Sequence, residues 1–245
     1  MSVVGKADRM EAIVLAGGFG TRLQQVVSDV PKPMAPMDAA GTPFLAYLLQ
    51  DLSRQGVMRV VLSIGYMGEL IQRYFGDEFA GMEICYAIEE SPLGTGGAVK
   101  AALLMCESPD VFVLNGDTFF AVDLVAMMAQ HQSSGADFTL AAREMRDFDR
   151  YGTLDLATDG RVLSFREKMF CRCGYINGGV YCMSSSVQKE LPDGRFSLEQ
   201  DFMEKMVREI QMYAFISQGY FVDIGIPEDY EKAKFDFGDN SVKIF

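Results

Sequence analysis

Short apolar runs alternate, through the first half of the chain, with segments whose apolar residues recur every three or four positions. Residues 12–15, 60–64, 84–88 and 111–114 have the length and residue types of buried strands. Between them Phe44, Leu45, Leu48, Leu49 and Leu52 fall at helical spacing, with Gly56 ending that helix; further helices are predicted near 67–75, 97–106 and 122–131. This alternation predicts a Rossmann-like α/β fold, a mostly parallel central sheet with helices on both faces. After residue 150 the pattern changes to short strands and hairpin-like turns, at 151–156, 162–167 and 175–183, predicted to form a smaller lobe on the same sheet. A helix over 197–209 follows, capped by Ser197, and then a short apolar strand ending at Asp223 before a helix opened by Pro227. The expected organisation is one domain over 10–235, with 1–9 a flexible extension and 236–245 a tail.

Composition narrows the class. The chain has 245 residues, 49% hydrophobic and 23% charged, enough to bury a sizeable core. None of its apolar runs approaches the roughly 18 residues of a membrane span. Residues 1–9 are too polar and short for a signal peptide, and Met10 is read as a natural start. Five cysteines, an odd number, do not suggest a disulfide framework, and Cys171-x-Cys173 lacks the second pair of a zinc site. A reduced, cytoplasmic protein is expected. The net charge of −12 argues against nucleic acid or an anionic membrane as partner. An acidic protein that binds polyanions must concentrate its cations locally and recruit Mg²⁺; Arg22, Lys32 and Lys168 are the candidate cations.

The candidate chemistry starts at Leu15-Ala16-Gly17-Gly18-Phe19-Gly20-Thr21-Arg22-Leu23, with Pro31-Lys32-Pro33 downstream. Three glycines in four residues after a strand let backbone N–H groups approach an anion closely. Neither common phosphate loop fits: the dinucleotide fingerprint needs a third glycine after G-x-G, and the P-loop needs G-K-[ST]. With Arg22 and Lys32 on one loop, the phosphates of a nucleoside triphosphate are the expected ligand. Asp117, in Asn115-Gly116-Asp117-Thr118, leaves a strand end where a carboxylate can hold Mg²⁺, and Asp223 ends a second strand. The stretch Glu89-Glu90-Ser91-Pro92-Leu93-Gly94-Thr95-Gly96-Gly97 offers a carboxylate and a glycine for a flat base edge. Gly152, the pair Glu167 and Lys168, and Asn177 with Gly178 are candidates for a sugar hydroxyl and its phosphate. Asp201 is a further contributor. His131 is read as a helix-end dipole partner, Asp147-Phe148-Asp149 as loop, and the sixteen methionines as core filler.

The L-A-G-G-x-G-T-R-L string with P-K-P resembles the signature of the sugar-1-phosphate nucleotidyltransferases, a GT-A-like fold. Within that family the chain is similar, from residue 10 to about 230, to the guanylyltransferases acting on D-glycero-α-D-manno-heptose 1-phosphate. Val30-Pro31-Lys32-Pro33-Met34-Ala35-Pro36, Pro92-Leu93-Gly94-Thr95-Gly96-Gly97-Ala98, Asn115-Gly116-Asp117-Thr118-Phe119-Phe120 and Asp147-Phe148-Asp149-Arg150-Tyr151-Gly152-Thr153 carry the likeness. The resemblance implies that Asp117 and Asp223 share Mg²⁺ and that Lys168 meets the sugar phosphate. It implies that Leu15, Ala16, Gly17, Gly18, Gly20, Thr21, Glu89, Gly94 and Thr95 bind the nucleotide. Thymidylyl- and uridylyl-transferring relatives carry glutamine at the base-reading position. Glu89, which accepts without donating, suits the N1–H and amine of guanine, so the expected partners are GTP and a sugar 1-phosphate. GDP-sugar synthesis for capsule, S-layer or other surface polysaccharide is the implied role, and the resemblance admits a homodimer. Mannose 1-phosphate, a UDP- or dTDP-sugar, a non-catalytic nucleotide-sugar sensor and a metal-dependent glycosyltransferase are the alternatives.

Overall fold

The structure is a computed structural model that describes residues 9–18, 27 and 29–238. Its centre is a ten-stranded mixed sheet. The apolar runs of the first half become β1 (Met10–Leu15), β2 (Val57–Ile64), β4 (Met82–Ile88) and β5 (Asp110–Asn115), each slightly longer than the sequence pattern suggested. They are mutually parallel: β1 lies between β2 and β5, and β4 flanks β2. On the other side β5 pairs antiparallel with β10 (Cys171–Ser184), followed by β7 (Phe138–Phe148) and β11 (Met212–Ile216). The strands β11, β7, β5, β1, β2 and β4 therefore run one way. Only β10 and the two-residue β3 (Glu78–Phe79) oppose them in this path. A hairpin of β8 (Thr153–Leu156) and β9 (Val162–Arg166) adds to β10 and forms the smaller lobe.

Strand periodicity sends alternate residues of β1 to opposite faces. Ala12 and Val14 join the core beneath α1 (Phe44–Arg54), α2 (Gly68–Phe75), α4 (Leu124–Ser134) and α6 (Pro227–Gly238). Ile13 joins the core beneath α3 (Gly94–Leu103) and the segment 198–207. Helices thus cover both faces, and the strand ends carrying the loops face one edge, where ligands of such sheets bind.

Several elements differ from the sequence pattern. The strand β7 spans a region for which no strand was predicted, and it takes in Asp147 and Phe148, read above as loop. Asp123 caps α4 through the Ala126 N–H, so that helix begins two residues later and runs on to Ser134. Ser197 does cap the next helical segment, accepting from the Gln200 N–H, but the first turns, Leu198–Met203, are π-helical and only Glu204–Met206 (α5) is α. The boundary drawn at 235 also moves. In α6, Phe237 is 5% exposed and packs its ring against Phe44, Tyr47, Phe119 and Tyr220, while Asp236 accepts from the Tyr220 hydroxyl at 2.6 Å. Those residues are core, not tail.

Candidate active site

The carboxyl ends of β1, β2, β4 and β5 are laced together beyond the strands themselves. Ala16 donates its N–H to Ser63, Glu89 to Ile64 and Gly116 to Leu15, at 2.8–2.9 Å. This holds the loops after β1, β4 and β5 around one cleft of about 310 Å³. Leu15, Gly17, Gly18, Lys32, Glu89, Gly94, Thr95 and Asp117 all line it, which gathers predicted residues from four separate stretches of sequence. Ala16 is fully buried and contributes through its main chain. Gly20, Thr21 and Arg22 lie outside the described residues.

A second pair of strands sets the metal candidates. Strand β6 (Thr118–Phe120) pairs antiparallel with β12 (Phe221–Asp223), placing Asp223 opposite Thr118, and the Ile224 N–H donates to the Asp117 carbonyl at 3.0 Å. The two carboxylates, more than a hundred residues apart in sequence, converge on one ammonium. Lys32 Nζ is 2.6 Å from Asp117 Oδ2 and 3.8 Å from Asp223 Oδ1. Burial, and then the charge of Asp117, raise the Asp223 carboxyl above its ordinary value, opposed by Lys32, the Gly225 N–H and Arg150. Two crowded carboxylates at a strand end, one desolvated, fit a divalent cation. Mg²⁺ favours one or two carboxylates supplemented by substrate phosphate and water.

Glu89 enters the cleft beside Gly17, where a Cβ would collide with its carboxylate. Its two oxygens are held separately: Oε1 accepts from the Ser63 hydroxyl at 3.0 Å and Oε2 from the Leu93 N–H at 3.1 Å. Ser63 is buried, and sequence reasoning did not single it out.

A second cavity, of about 790 Å³, opens under the smaller lobe. Gly152, Glu167, Lys168 and Asn177 line it, with Glu199 and Tyr151. Glu167 and Lys168 are exposed on its rim. The ion pair at that strand end joins Arg166 to Asp155 instead, at 2.8 Å. Gly178 is not on the wall; it is buried against the Phe120 ring, where any side chain would collide. Asp201 closes the capping motif of its own segment, accepting from the Ser197 N–H and pairing with Lys205. Asp149 lines a third, smaller cavity with Asp223, beside the Arg150–Asp229 ion pair of 2.6 Å.

Two further lining residues, one in each cavity, were given no role by the sequence pattern. Arg195 hangs from the loop before Phe196 into the first cleft, an isolated arginine in a turn that carries no motif. Glu199 lines the larger cavity and accepts at 3.0 Å from the hydroxyl of Thr95, a residue of the first cleft. His131 is buried rather than a charged helix end: Nδ1 is 2.8 Å from Thr139 Oγ1, Nε2 is 3.5 Å from Asp110, and burial lowers its basicity.

These features agree with comparisons to known proteins. The Nucleotidyl transferase family profile matches residues 11–239. The chain is 49% identical over 226 residues to a D-glycero-alpha-D-manno-heptose 1-phosphate guanylyltransferase from Aneurinibacillus thermoaerophilus, covering 92% of this chain and 97% of the relative. It is 42% identical to a protein of the same name from Campylobacter jejuni, covering 90% and 97%. A crystal structure of HddC from Yersinia pseudotuberculosis complexed with GMP-PN superposes with a TM-score of 0.83 at 38% identity, covering 93% of this chain and 99% of that one. A shared signature, a shared sheet and near-complete coverage lead to one conclusion: the chain belongs to the nucleotidyl transferase family.

Proposed function

We propose that the protein transfers a guanylyl group from GTP to D-glycero-α-D-manno-heptose 1-phosphate, giving GDP-heptose and pyrophosphate. The observation that carries this reading is the convergence of Lys32, Asp117 and Asp223 where the nucleotide cleft meets the end of β12. The relatives' names and the guanine nucleotide analogue in HddC support the choice of base and sugar.

The sugar phosphate oxygen attacks the α-phosphorus in line; a new P–O bond forms as the bond to the bridging oxygen of the β-phosphate breaks, and pyrophosphate leaves. No protein nucleophile is needed, so the chain's work is positioning and charge stabilisation. The glycine loop after β1 accommodates the triphosphate, with Arg22 as its second cation. Lys32 sits where negative charge builds on the transferring group. Lys168, on the rim of the larger cavity, meets the phosphate of the incoming sugar, and Gly152, Glu167 and Asn177 surround its hydroxyls. Asp117 and Asp223 would hold Mg²⁺, which when bound neutralises charge on the α-phosphate and the leaving pyrophosphate. Glu89 accepts from guanine N1–H and its 2-amino group. The five cysteines are unpaired, consistent with a cytoplasmic enzyme acting on a cytoplasmic triphosphate.

A matrix of GTP, UTP, dTTP and ATP against heptose, mannose and glucose 1-phosphates, read by pyrophosphate release with and without Mg²⁺, tests the reading. GTP with the heptose phosphate should give the highest kcat/KM. A preference for a pyrimidine triphosphate, or no pyrophosphate with any pair, would overturn it.

A further inference from the structure

Glu199 is the end point of a hydrogen-bond chain with only one permitted direction. The Gly179 N–H can only donate, and it donates to Asn177 Oδ1 at 3.0 Å, which fixes the amide's orientation. Asn177 Nδ2 must then donate, and it meets the Tyr181 hydroxyl at 2.9 Å. Tyr181 is fully buried, and its single proton passes on to Glu199 Oε1 at 3.3 Å. From the opposite side the Leu198 N–H donates to Thr95 Oγ1 at 2.8 Å, so the Thr95 proton goes to Glu199 Oε2 at 3.0 Å. Protein donors therefore reach Glu199 from both the nucleotide loop and the sugar-side strand, and it returns no proton to either.

Two consequences follow at the larger cavity, whose wall both Asn177 and Glu199 form. The oxygen of Asn177 is taken by Gly179, and the remaining N–H of its amide is a donor. Glu199, half-buried, also accepts from the Ser197 hydroxyl at 3.2 Å, so Thr95 and Ser197 occupy Oε2 and the lone pair left over is on Oε1, beside the Tyr181 contact. The wall thus offers one donor and one acceptor, the pattern that a hydroxyl, able to accept and donate together, satisfies.

We propose that Glu199 is a specificity-determining residue: it accepts a hydrogen bond from a hydroxyl of the sugar 1-phosphate, while Asn177 donates to that hydroxyl or its neighbour. The proposal rests on the guanylyltransferase reading and deepens it. It also separates the roles of two adjacent acids, since Asp201 is consumed by its own cap.

The test is Glu199→Gln, with Tyr181→Phe as companion, in the full-length enzyme assayed with each substrate varied separately. The glutamine sets an N–H₂ group opposite hydroxyls that donate in the wild type, and it loses a charged acceptor. Hydrogen bonds to charged groups are the stronger class, so KM for the sugar 1-phosphate should rise about 10- to 100-fold, with KM for GTP changed by less than about threefold. A panel of monodeoxy sugar 1-phosphates supplies the readout that a structural role would not move. One deoxy analogue should be penalised by wild type and tolerated equally with its parent by Glu199→Gln. Tyr181→Phe, which keeps the ring and removes only the hydroxyl, should give a smaller loss in the same parameter. A folded Glu199→Gln enzyme with unchanged sugar KM and unchanged deoxy discrimination would overturn the proposal. A wild-type enzyme inactive with every sugar 1-phosphate would instead overturn the guanylyltransferase reading on which it rests.

Discussion

Replacing Glu89 with glutamine exchanges one carboxylate oxygen for an amide nitrogen, and the surroundings decide which. The Leu93 N–H can only donate, so the amide oxygen must remain opposite it; the nitrogen then faces Ser63, whose hydroxyl rotates from donor to acceptor. Both side-chain contacts survive, and no bulk is added beside Gly17, so the variant should fold as wild type does. Toward the nucleotide, however, it presents an acceptor and a donor in place of two acceptors. Guanine offers adjacent donors at N1 and the 2-amino group, so one charge-assisted hydrogen bond is lost and two N–H groups oppose each other. A lost bond of this kind costs about 1.5–3 kcal/mol, or about 10- to 150-fold in kcat/KM for GTP. Uracil and thymine place a carbonyl beside N3–H and match the amide, so the margin of GTP over UTP and dTTP should shrink by at least that factor. Steady-state pyrophosphate release with the three triphosphates at fixed sugar 1-phosphate measures it. Undiminished preference for GTP in a folded Glu89→Gln enzyme would refute the assignment of Glu89 as base reader.

Other changes probe the rest of the site. Asp117→Ala or Asp223→Ala should lower turnover about 10²-fold or more, since each removes part of the charge stabilisation, while circular dichroism stays unchanged; a fully active Asp223→Ala protein would remove it from the site. Lys168→Ala should raise KM mainly for the sugar 1-phosphate and Arg22→Ala mainly for GTP, and equal effects of both on one substrate would mean that the two loops serve it together. Burial lowers the basicity of His131, against the pull of Asp110. The unfolded chain, with a histidine near its ordinary value, therefore takes up a proton first as pH falls below about 6.5, and stability present above that value declines. Thermal unfolding followed from pH 7.5 to 5 should show a shallower fall in Tm for His131→Gln, and an identical slope would place the titration elsewhere.

The parallel half of the sheet was legible because its strands are short, predominantly apolar and separated by helices of unambiguous period. Ligand loops at strand ends then followed from topology, and Gly17, Lys32, Glu89 and Asp117 meet around one cleft. The other half was harder to read. Strand β10 shifts register between Asn177 and Tyr181, so its alternation breaks where Gly178 and Gly179 intervene. Strand β7 mixes buried alanines with Arg143, Glu144 and Arg146 and shows no clean period. Asp223 could be placed at a strand end, but only the β6–β12 pairing shows why it stands beside Asp117. Arg195 and Glu199 had no local signal at all: their positions are set by the packing of their segment against Gly94 and Thr95, a contact about a hundred residues away in sequence.

That packing is unusually close. A Cβ at Gly94 would strike the Phe196 carbonyl and one at Gly96 the Phe196 ring, while one at Gly97 would come within 2.6 Å of the Gly194 oxygen. The Gly96 and Phe196 main-chain N–H groups bond across the seam, to Phe196 and Leu93 respectively. The wall of the first cleft and the wall of the larger cavity are therefore one moulding. Exchanging either stretch alone with a relative of different preference would put side chains into a seam that has no room for them. A chimera meant to pair a new nucleotide with a new sugar must carry residues 93–97 and 194–199 together, as a single heritable block.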